Sequence, residues 1–139
     1  MMNFLIDALP IIKWVFAALF FGIVEAVMFH QCKTRNQKLV TVWEDEHIWL
    51  TIARLFVFLE LFGFNNLFFF NLIGAMLVFP FLHDGAYYAM RNSLDRRLYP
   101  ARFKAHSTTT YARFSFEYPT RTALFVLGIS VFVILFVLK

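Results

Sequence analysis

Apolar residues are gathered into four long blocks that polar segments separate. The blocks cover residues 10–29, 48–64, 67–82 and 123–138. The first block has only Lys13 and Glu25 as charged residues, the second has only Arg54 and Glu60, and the last two have none. A helix of about 20 residues, with a working range of about 17 to 25, spans the hydrocarbon core of a bilayer. The pattern therefore predicts an all-α, polytopic integral membrane protein with four transmembrane helices.

Turn-forming residues mark the ends of these predicted helices. Asp7 can cap a helix whose opening turn holds Pro10, and the Gly-Phe-Asn-Asn sequence at 63–66 is typical of a tight turn. We predict four helices in a single domain, at about residues 10–30, 46–63, 66–98 and 120–138. The second helix is the weakest span, because each of its two charges costs about 2.5 to 3.5 kcal/mol at mid-membrane. A re-entrant hairpin over residues 48–82 is the alternative.

The third predicted helix continues beyond the membrane. Apolar residues recur there at helical spacing, at positions Tyr87, Met90, Leu94 and Leu98. Charged residues lie elsewhere around the same helix. This pattern predicts an amphipathic helix on the cytoplasmic membrane surface.

Basic residues are concentrated on one side of the predicted bundle. The chain has 13 Lys and Arg against 9 Asp and Glu, and most of the basic residues fall within or beside segments 31–45 and 85–119. The positive-inside rule places these segments in the cytoplasm, and four spans then place both termini on the non-cytoplasmic side. Five basic residues are predicted to bind anionic lipid headgroups: Arg91, Arg96, Arg97, Arg102 and Lys104. No nucleic-acid-binding motif accompanies them.

The composition excludes several classes of protein. Hydrophobic residues make up 60% of the chain and charged residues only 16%, whereas a soluble domain is about half apolar and about a quarter charged. A soluble core of this size cannot bury such an excess. The single cysteine, Cys32, excludes an internal disulfide. The chain is therefore neither a soluble globule, nor a disordered chain, nor a disulfide-framed secreted module.

Threading the four predicted helices through the bilayer brings scattered acids and histidines to one face. Glu25 lies toward the cytoplasmic end of the first helix, and Glu44 and His47 open the second. His83 and Asp84 close the membrane part of the third helix at the same face. We therefore predict that these residues line a common pocket near the cytoplasmic leaflet.

Two charges within the membrane are predicted to pair. Glu25 lies about 7 Å inward from His30, and Arg54 lies about 10 Å inward from His47, at a rise of about 1.5 Å per residue. Their depths match, and an unpaired charge at that depth is costly, so we predict a structural ion pair between Glu25 and Arg54. A stripe of small residues on the first helix allows close approach of another helix: Ala18, Gly22 and Ala26.

The histidines and carboxylates also indicate metal or acid–base chemistry. Glu44, His47 and His83 are the candidate metal ligands, and three or four N/O ligands suit Zn or Fe. Glu44-x-x-His47 has the spacing of di-iron bundles, although first-turn acids of this kind also suit the helix dipole. Glu25, His83 and Asp84 are the candidate catalytic residues, acting as acid–base groups.

Three functions are open on this sequence. The first is a membrane enzyme, metal-dependent in one version, that acts on an anionic lipid or a lipid-linked substrate. The second is a non-catalytic subunit or scaffold that binds a partner protein or anionic lipid. The third is a homo-oligomeric transporter or proton channel that uses Glu25, Arg54 and Glu60, since one four-helix unit is small for transport.

Overall fold

The computed structural model describes residues 2–34, 46–106 and 116–138, without side chains at 2–7, 32–34 and 46–47, and all its regular elements in these ranges are α-helices. The helices are α1 (Met2–Thr34), α2 (Glu46–Phe62), α3 (Phe68–Leu94) and α4 (Tyr118–Val137). The predicted all-α fold is confirmed over these residues. α1 begins earlier than predicted, so that Pro10 lies inside the helix instead of in its opening turn.

Three of these helices are long and apolar enough to cross a bilayer. They are the stretch Ala8–Gln31 within α1, the whole of α3 and the whole of α4. α2 has 17 residues and carries both Arg54 and Glu60, so it falls outside this group. The chain is therefore a helical protein with three candidate spans, and the fourth predicted span is not confirmed.

The outer surface of the bundle is strongly apolar. Large aromatic side chains on α1, α2 and α3 are exposed, among them Phe16, Phe20, Phe56 and Phe69. A water-soluble monomer rarely exposes so large an apolar surface. Hydrocarbon is the solvent in which these side chains are stable, so the surface agrees with a multi-pass membrane protein.

Helices α1 and α3 lie side by side and run in the same direction. Trp14 donates its indole N–H to the carbonyl of Ala75 over 3.2 Å, and farther along both helices Phe29 packs edge-on against Tyr87. Between these contacts the helices approach so closely that a Cβ at Gly22 would collide with the backbone of α3. The small residue predicted to permit close packing thus lies at the closest approach of α1 and α3.

Helix α2 runs in the opposite direction and packs mainly against α1. Phe58 packs edge-on against Trp14, with 5.7 Å between the ring centroids. Arg54, one turn earlier in α2, instead meets Glu25, which lies farther along α1. Along α2 the chain therefore runs from the level of Glu25 toward the level of Trp14, whereas along α1 it runs from Trp14 toward Glu25.

Helix α4 packs against α3, again in the opposite direction. Phe125 packs on Phe81 with 4.7 Å between their centroids, and farther along α4 the ring of Phe132 covers Gly74. The helices therefore alternate in direction along the chain. The core residues come from all four: Trp14, Ala18, Phe58, Phe62, Ala75, Val78, Leu82, Phe132 and Leu135.

A tight turn joins α2 to α3. Gly63 has a φ of 61°, a left-handed conformation that glycine adopts without steric cost. The side chain of Asn65 closes the turn by donating to the carbonyl of Phe62 and accepting from the N–H of Leu67, each over 2.8 Å. The chain thus reverses at the Gly-Phe-Asn-Asn sequence.

Residues 95–106, which we call the return segment, fold back onto the bundle. Tyr99 is buried, and its carbonyl accepts a hydrogen bond of 2.9 Å from the side chain of Asn92. The ring of Phe103 fills the space over Gly85. α3 ends at Leu94, where the chain turns back onto the bundle, so the predicted amphipathic helix through residue 98 is not confirmed.

Asp95 shapes the first turn of the return segment. Its Oδ1 accepts hydrogen bonds from the backbone N–H groups of Arg97 and Leu98, over 2.8 and 3.0 Å. These bonds hold the pKa of the Asp95 carboxyl below its ordinary value of 3.8. Because the pKa of Asp95 is lower in the folded protein than in the unfolded one, its carboxylate stabilises the turn at every pH above the ordinary pKa. This stabilisation is lost as the pH falls through the lower pKa of the folded protein.

Replacing Asp95 by Ala should therefore speed hydrogen exchange at the amides of Arg97 and Leu98 several-fold at neutral pH, because both lose their acceptor. Mass spectrometry measures the exchange rates of these amides, after correction for the dependence of intrinsic exchange on pH. The wild-type amides should lose the same protection in acid, below the native pKa of the carboxyl. Equal protection of the two proteins at neutral pH would contradict the assignment.

Candidate functional site: a buried charge cluster beside an apolar groove

Four ionisable side chains from three helices meet inside the bundle. Glu25 comes from α1, Arg54 from α2, and His83 and Asp84 from α3. Glu25 is only 4% exposed and His83 only 7%. We call these four residues the charge cluster.

A single carboxylate oxygen lies at the centre of the charge cluster. Arg54 Nη2 donates to Glu25 Oε2 over 2.5 Å, and His83 Nε2 lies 2.9 Å from the same oxygen. On the other side of the imidazole, His83 Nδ1 lies 3.0 Å from Asp84 Oδ1. Two carboxylates thus flank the ring and orient it, an arrangement that suits acid–base chemistry.

The short contacts limit where the protons of the charge cluster can lie. Arg54 Nη2 also lies 2.9 Å from His83 Nε2, and an arginine nitrogen can only donate. When His83 Nε2 carries a proton, it donates a hydrogen bond to Glu25. When Nε2 carries no proton, it accepts a hydrogen bond from Arg54 or from a protonated Glu25. The hydrogen bond between His83 and Glu25 therefore forms both when the proton is on His83 and when it is on Glu25. The cluster can therefore hold an exchangeable proton between Glu25 and His83.

Aromatic rings cover part of the charge cluster. Phe79 stacks face to face on His83 with 4.7 Å between the centroids. The guanidinium carbon of Arg54 lies 5.1 Å from the ring centre of Phe79 and 5.6 Å from that of Phe21. These rings also stabilise the guanidinium through cation–π attraction, which increases when the pair is desolvated.

An apolar groove of about 600 Å³ lies beside the charge cluster, between α2, α3 and the start of α4. Its volume falls within the range of about 300 to 1,000 Å³ that is usual for small-molecule sites. Leu55 and Met76 line it and are exposed, so the groove opens at the surface of the bundle. Thr51 and Arg54 are the polar side chains in an otherwise apolar wall.

Arg54 belongs to both the charge cluster and the groove wall. Its Nη2 is held by Glu25 and His83, but its Nε is buried and has no hydrogen-bond partner in the described part of the chain. His83 does not line the groove, because Phe79 lies between them. Arg54 is therefore the group through which the cluster meets a molecule in the groove.

Two of the three predicted metal ligands are not described by the structure. Glu44 and the side chain of His47 lie outside the described part of the chain, so their pairing with His83 stays a prediction. Within the described residues, no group of three or more His, Cys, Asp or Glu could hold a metal ion. At His83 Nε2, the guanidinium of Arg54 takes the place next to Glu25 that a cation would occupy, so these residues do not fit a metal at that nitrogen.

Four of the five predicted headgroup-binding residues are on the surface. Arg96, Arg97, Arg102 and Lys104 are all exposed. Lys104 Nζ lies over the ring of Tyr118, 5.3 Å from its centre. These side chains are accessible to an anionic headgroup, and their role in binding one stays a prediction.

Arg91, the fifth of these residues, lies inside an aromatic cage. Its guanidinium carbon lies 4.4, 5.1 and 4.2 Å from the ring centres of Phe29, Tyr87 and Tyr99. Its Nη1 also donates to the hydroxyl of Tyr87 over 3.1 Å. These contacts join the return segment to α1 and α3, which is a structural task that the sequence did not indicate.

Sequence reasoning also missed Arg121, which it counted only as a basic residue. The side chain is completely buried, at 0% exposure. Its Nη2 donates to the carbonyls of Phe103 and Ala105, over 2.8 and 2.6 Å. Both partners are backbone groups of the return segment, so no side-chain pattern in the sequence indicates the contact.

The chain matches no known protein family, and no curated protein or solved structure was found to be similar to it. The function must therefore be inferred from the charge cluster and the groove themselves.

Proposed function

We propose that this chain is a multi-pass membrane protein that binds an amphiphile from the bilayer, a lipid or lipid-linked molecule with an acidic head group. The observation that carries the proposal is the double position of Arg54, in the charge cluster and in the wall of the groove. The apolar chain of the ligand lies in the groove, and its head group meets the guanidinium. Apolar pockets with a few placed polar groups are the usual form of such sites.

Arg54 is suited to recognise an acidic head group because it is held in place before the ligand arrives. Glu25 and His83 both contact Nη2, and rings lie over the guanidinium carbon. Such preorganisation reduces the entropy that binding would otherwise cost. With Nη2 occupied by these contacts, the rest of the guanidinium is left for the ligand, and arginine binds carboxylate and phosphate oxygens well through its planar fork.

The groove is suited to a ligand that arrives from the lipid phase. Leu55 and Met76, which line it, are 53% and 65% exposed, so an acyl chain can pass between the bilayer and the groove sideways. Burial of that chain against apolar walls gives contact over its length, while Arg54 supplies the orientation.

We further propose that α2 crosses the bilayer with the other three helices. Its 17 residues extend over about 26 Å, and a bilayer of about 30 Å can thin locally to match. Trp49 and Phe56 on its outer face are exposed, as lipid-facing residues are. With four spans, the positive-inside rule places the return segment in the cytoplasm and both termini on the other side.

Binding is favoured over catalysis and conduction by the surroundings of His83. Phe79 separates the imidazole from the groove, so a bound ligand does not reach the acid–base groups directly. Glu60 is exposed and is not part of the charge cluster, while Trp14 and Phe58 fill the interior beyond the cluster toward the α2–α3 turn. The metal-dependent enzyme, the accessory subunit and the oligomeric transporter all stay predictions.

Filling the groove should abolish ligand binding. We expect Met76→Trp to weaken the binding of radiolabelled oleate to the detergent-purified chain at least tenfold, because the indole occupies the space of the acyl chain. Scintillation proximity with the immobilised full-length protein measures the affinity. The substitution is at the exposed rim and leaves the charge cluster unchanged.

The matched control is Ile73→Trp, which adds the same bulk to an exposed position of α3 that does not line the groove. This variant should bind oleate as the wild type does. Arg54→Lys should also weaken binding, since lysine lacks the fork that holds both the cluster and a head group. If wild-type binding never saturates, or if the two tryptophan variants bind equally well, the proposal is wrong.

A further inference from the structure

A second guanidinium is buried at the start of α4 without a counter-ion. Arg121 is 0% exposed, and Nη2 is its one nitrogen with partners, the carbonyls of Phe103 and Ala105. Its Nε and Nη1 are buried and have no hydrogen-bond partner among the residues that the structure describes. None of the ion pairs in the described part of the chain includes Arg121.

An uncompensated buried charge is costly, and two neutral carbonyls offset only part of that cost. The acids whose side chains the structure describes are placed elsewhere: Glu25 and Asp84 contact His83, Asp95 caps its own turn, and Glu60 and Glu117 are exposed. Within the described residues, these two nitrogens therefore have no negative partner.

The surroundings of Arg121 add further positive potential. It lies in the first turn of the 20-residue helix α4, where the helix dipole and unpaired backbone N–H groups favour an anion. Lys104 Nζ and the guanidinium carbon of Arg121 lie 5.3 and 5.8 Å from the ring centre of Tyr118. Two cations and a helix N-terminus thus converge around one aromatic ring.

We propose that Arg121 is the centre of a phosphate-binding site, with Lys104 as the second cation. A phosphate group suits it because several strong acceptor oxygens can take Nε–H and Nη1–H together. Because both nitrogens are closed off from solvent, the phosphate reaches them when the return segment, which Arg121 anchors, shifts aside. The phosphate is that of a lipid headgroup or free inorganic phosphate. Leu124, one turn farther along α4, lines the groove, which favours the lipid.

Thermal unfolding of the full-length chain in detergent tests the site. Two probes are used at constant ionic strength: inorganic phosphate, with chloride as its control, and phosphatidic acid in mixed micelles, with diacylglycerol of the same chains as its control. We expect a rise in Tm of about 4 °C when the effective probe is at ten times its Kd. A rise with inorganic phosphate identifies a small-anion site, and a rise with phosphatidic acid alone identifies a headgroup site.

Substitutions then connect the response to the site. Arg121→Met should abolish the rise in Tm, and without a probe it should be at least as stable as the wild type, because the uncompensated charge is gone. Lys104→Gln should weaken the affinity for the probe several-fold. The control Lys13→Gln removes an exposed charge from α1, which is not part of the proposed site, and should keep the wild-type response.

The proposal is overturned if neither probe raises the Tm of the wild type, or if Arg121→Met responds as the wild type does. Should Arg121→Met fail to fold, the comparison of Lys104→Gln with Lys13→Gln decides, and equal responses overturn the proposal. The oleate experiment on Met76→Trp does not depend on Arg121, so failure of the phosphate site and failure of the groove are distinguishable.

Discussion

Replacing Arg54 by Met should lower the free energy of unfolding by about 3 to 5 kcal/mol. The substitution removes the guanidinium that contacts both Glu25 and His83 and leaves the Glu25 carboxylate buried without this counter-ion. Replacing Glu25 by Met should cost a similar amount, because Arg54 then becomes the uncompensated charge. Reversible unfolding in mixed detergent micelles, followed by circular dichroism, measures both effects.

The double variant distinguishes an interaction from two separate defects. With both Glu25 and Arg54 replaced by Met, no unpaired charge is left between α1 and α2, and His83 keeps Asp84 as its partner. We expect the loss of the double variant to be smaller than the sum of the single losses by about 2 kcal/mol or more. Lys13→Met, which removes an exposed cation from α1, is the control and should have little effect. Additive losses would show that the two side chains do not act as a pair.

Replacing Gly22 by Ala should destabilise the protein by about 2 kcal/mol or more, from overpacking that typically costs about 1 to 3 kcal/mol. The added Cβ would collide with the carbonyl of His83 and lie 3.1 Å from the Cβ of Ala86. A backbone carbonyl inside a helix cannot move aside alone, so α1 and α3 must separate. Helix propensity by itself predicts the opposite sign, a gain of about 1 kcal/mol.

The sign of the Gly22→Ala effect therefore decides between close packing and propensity, and unfolding in micelles measures it. Ile23→Val, at the neighbouring exposed position, is the control and should change the stability by less than about 0.5 kcal/mol. Separation of the helices should also weaken the contact of Glu25 with His83 one turn later. A Gly22→Ala protein as stable as the wild type would contradict the close approach.

The helices could be predicted from the sequence because the length of an apolar block depends on bilayer thickness. The turn at Gly63 could be predicted for a similar reason, since few residues adopt its conformation. The predicted start of α1 was wrong because the prediction placed Pro10 in the first turn. A helix can continue through proline with the loss of one hydrogen bond. The predicted surface helix through residue 98 is not confirmed, because the chain turns at Asp95 and the next aromatic residue, Tyr99, packs on Phe29.

Of the candidate site, only the depth of its residues in the membrane could be predicted from the sequence. Counting residues along each helix places Glu25 and Arg54 at one level, because the rise per residue is constant. The rotation of each helix about its axis depends on packing, so counting did not show that Arg54 contacts His83 or that Phe79 covers the imidazole. The burial of Arg121 depends on backbone carbonyls of a distant segment, which no pattern of side chains encodes.

The ion pair between Glu25 and Arg54 also bears on how the chain enters the membrane during translation. Its two members lie in the first two helices, so they can meet as a helical hairpin in the translocon before α3 has entered it. An unpaired arginine at the centre of a segment opposes partitioning by about 2.5 to 3.5 kcal/mol, and a carboxylate partner neutralises that charge. If α2 crosses as we propose, its integration then depends on Glu25, and a glycosylation-mapping assay of the first two helices alone should register that dependence.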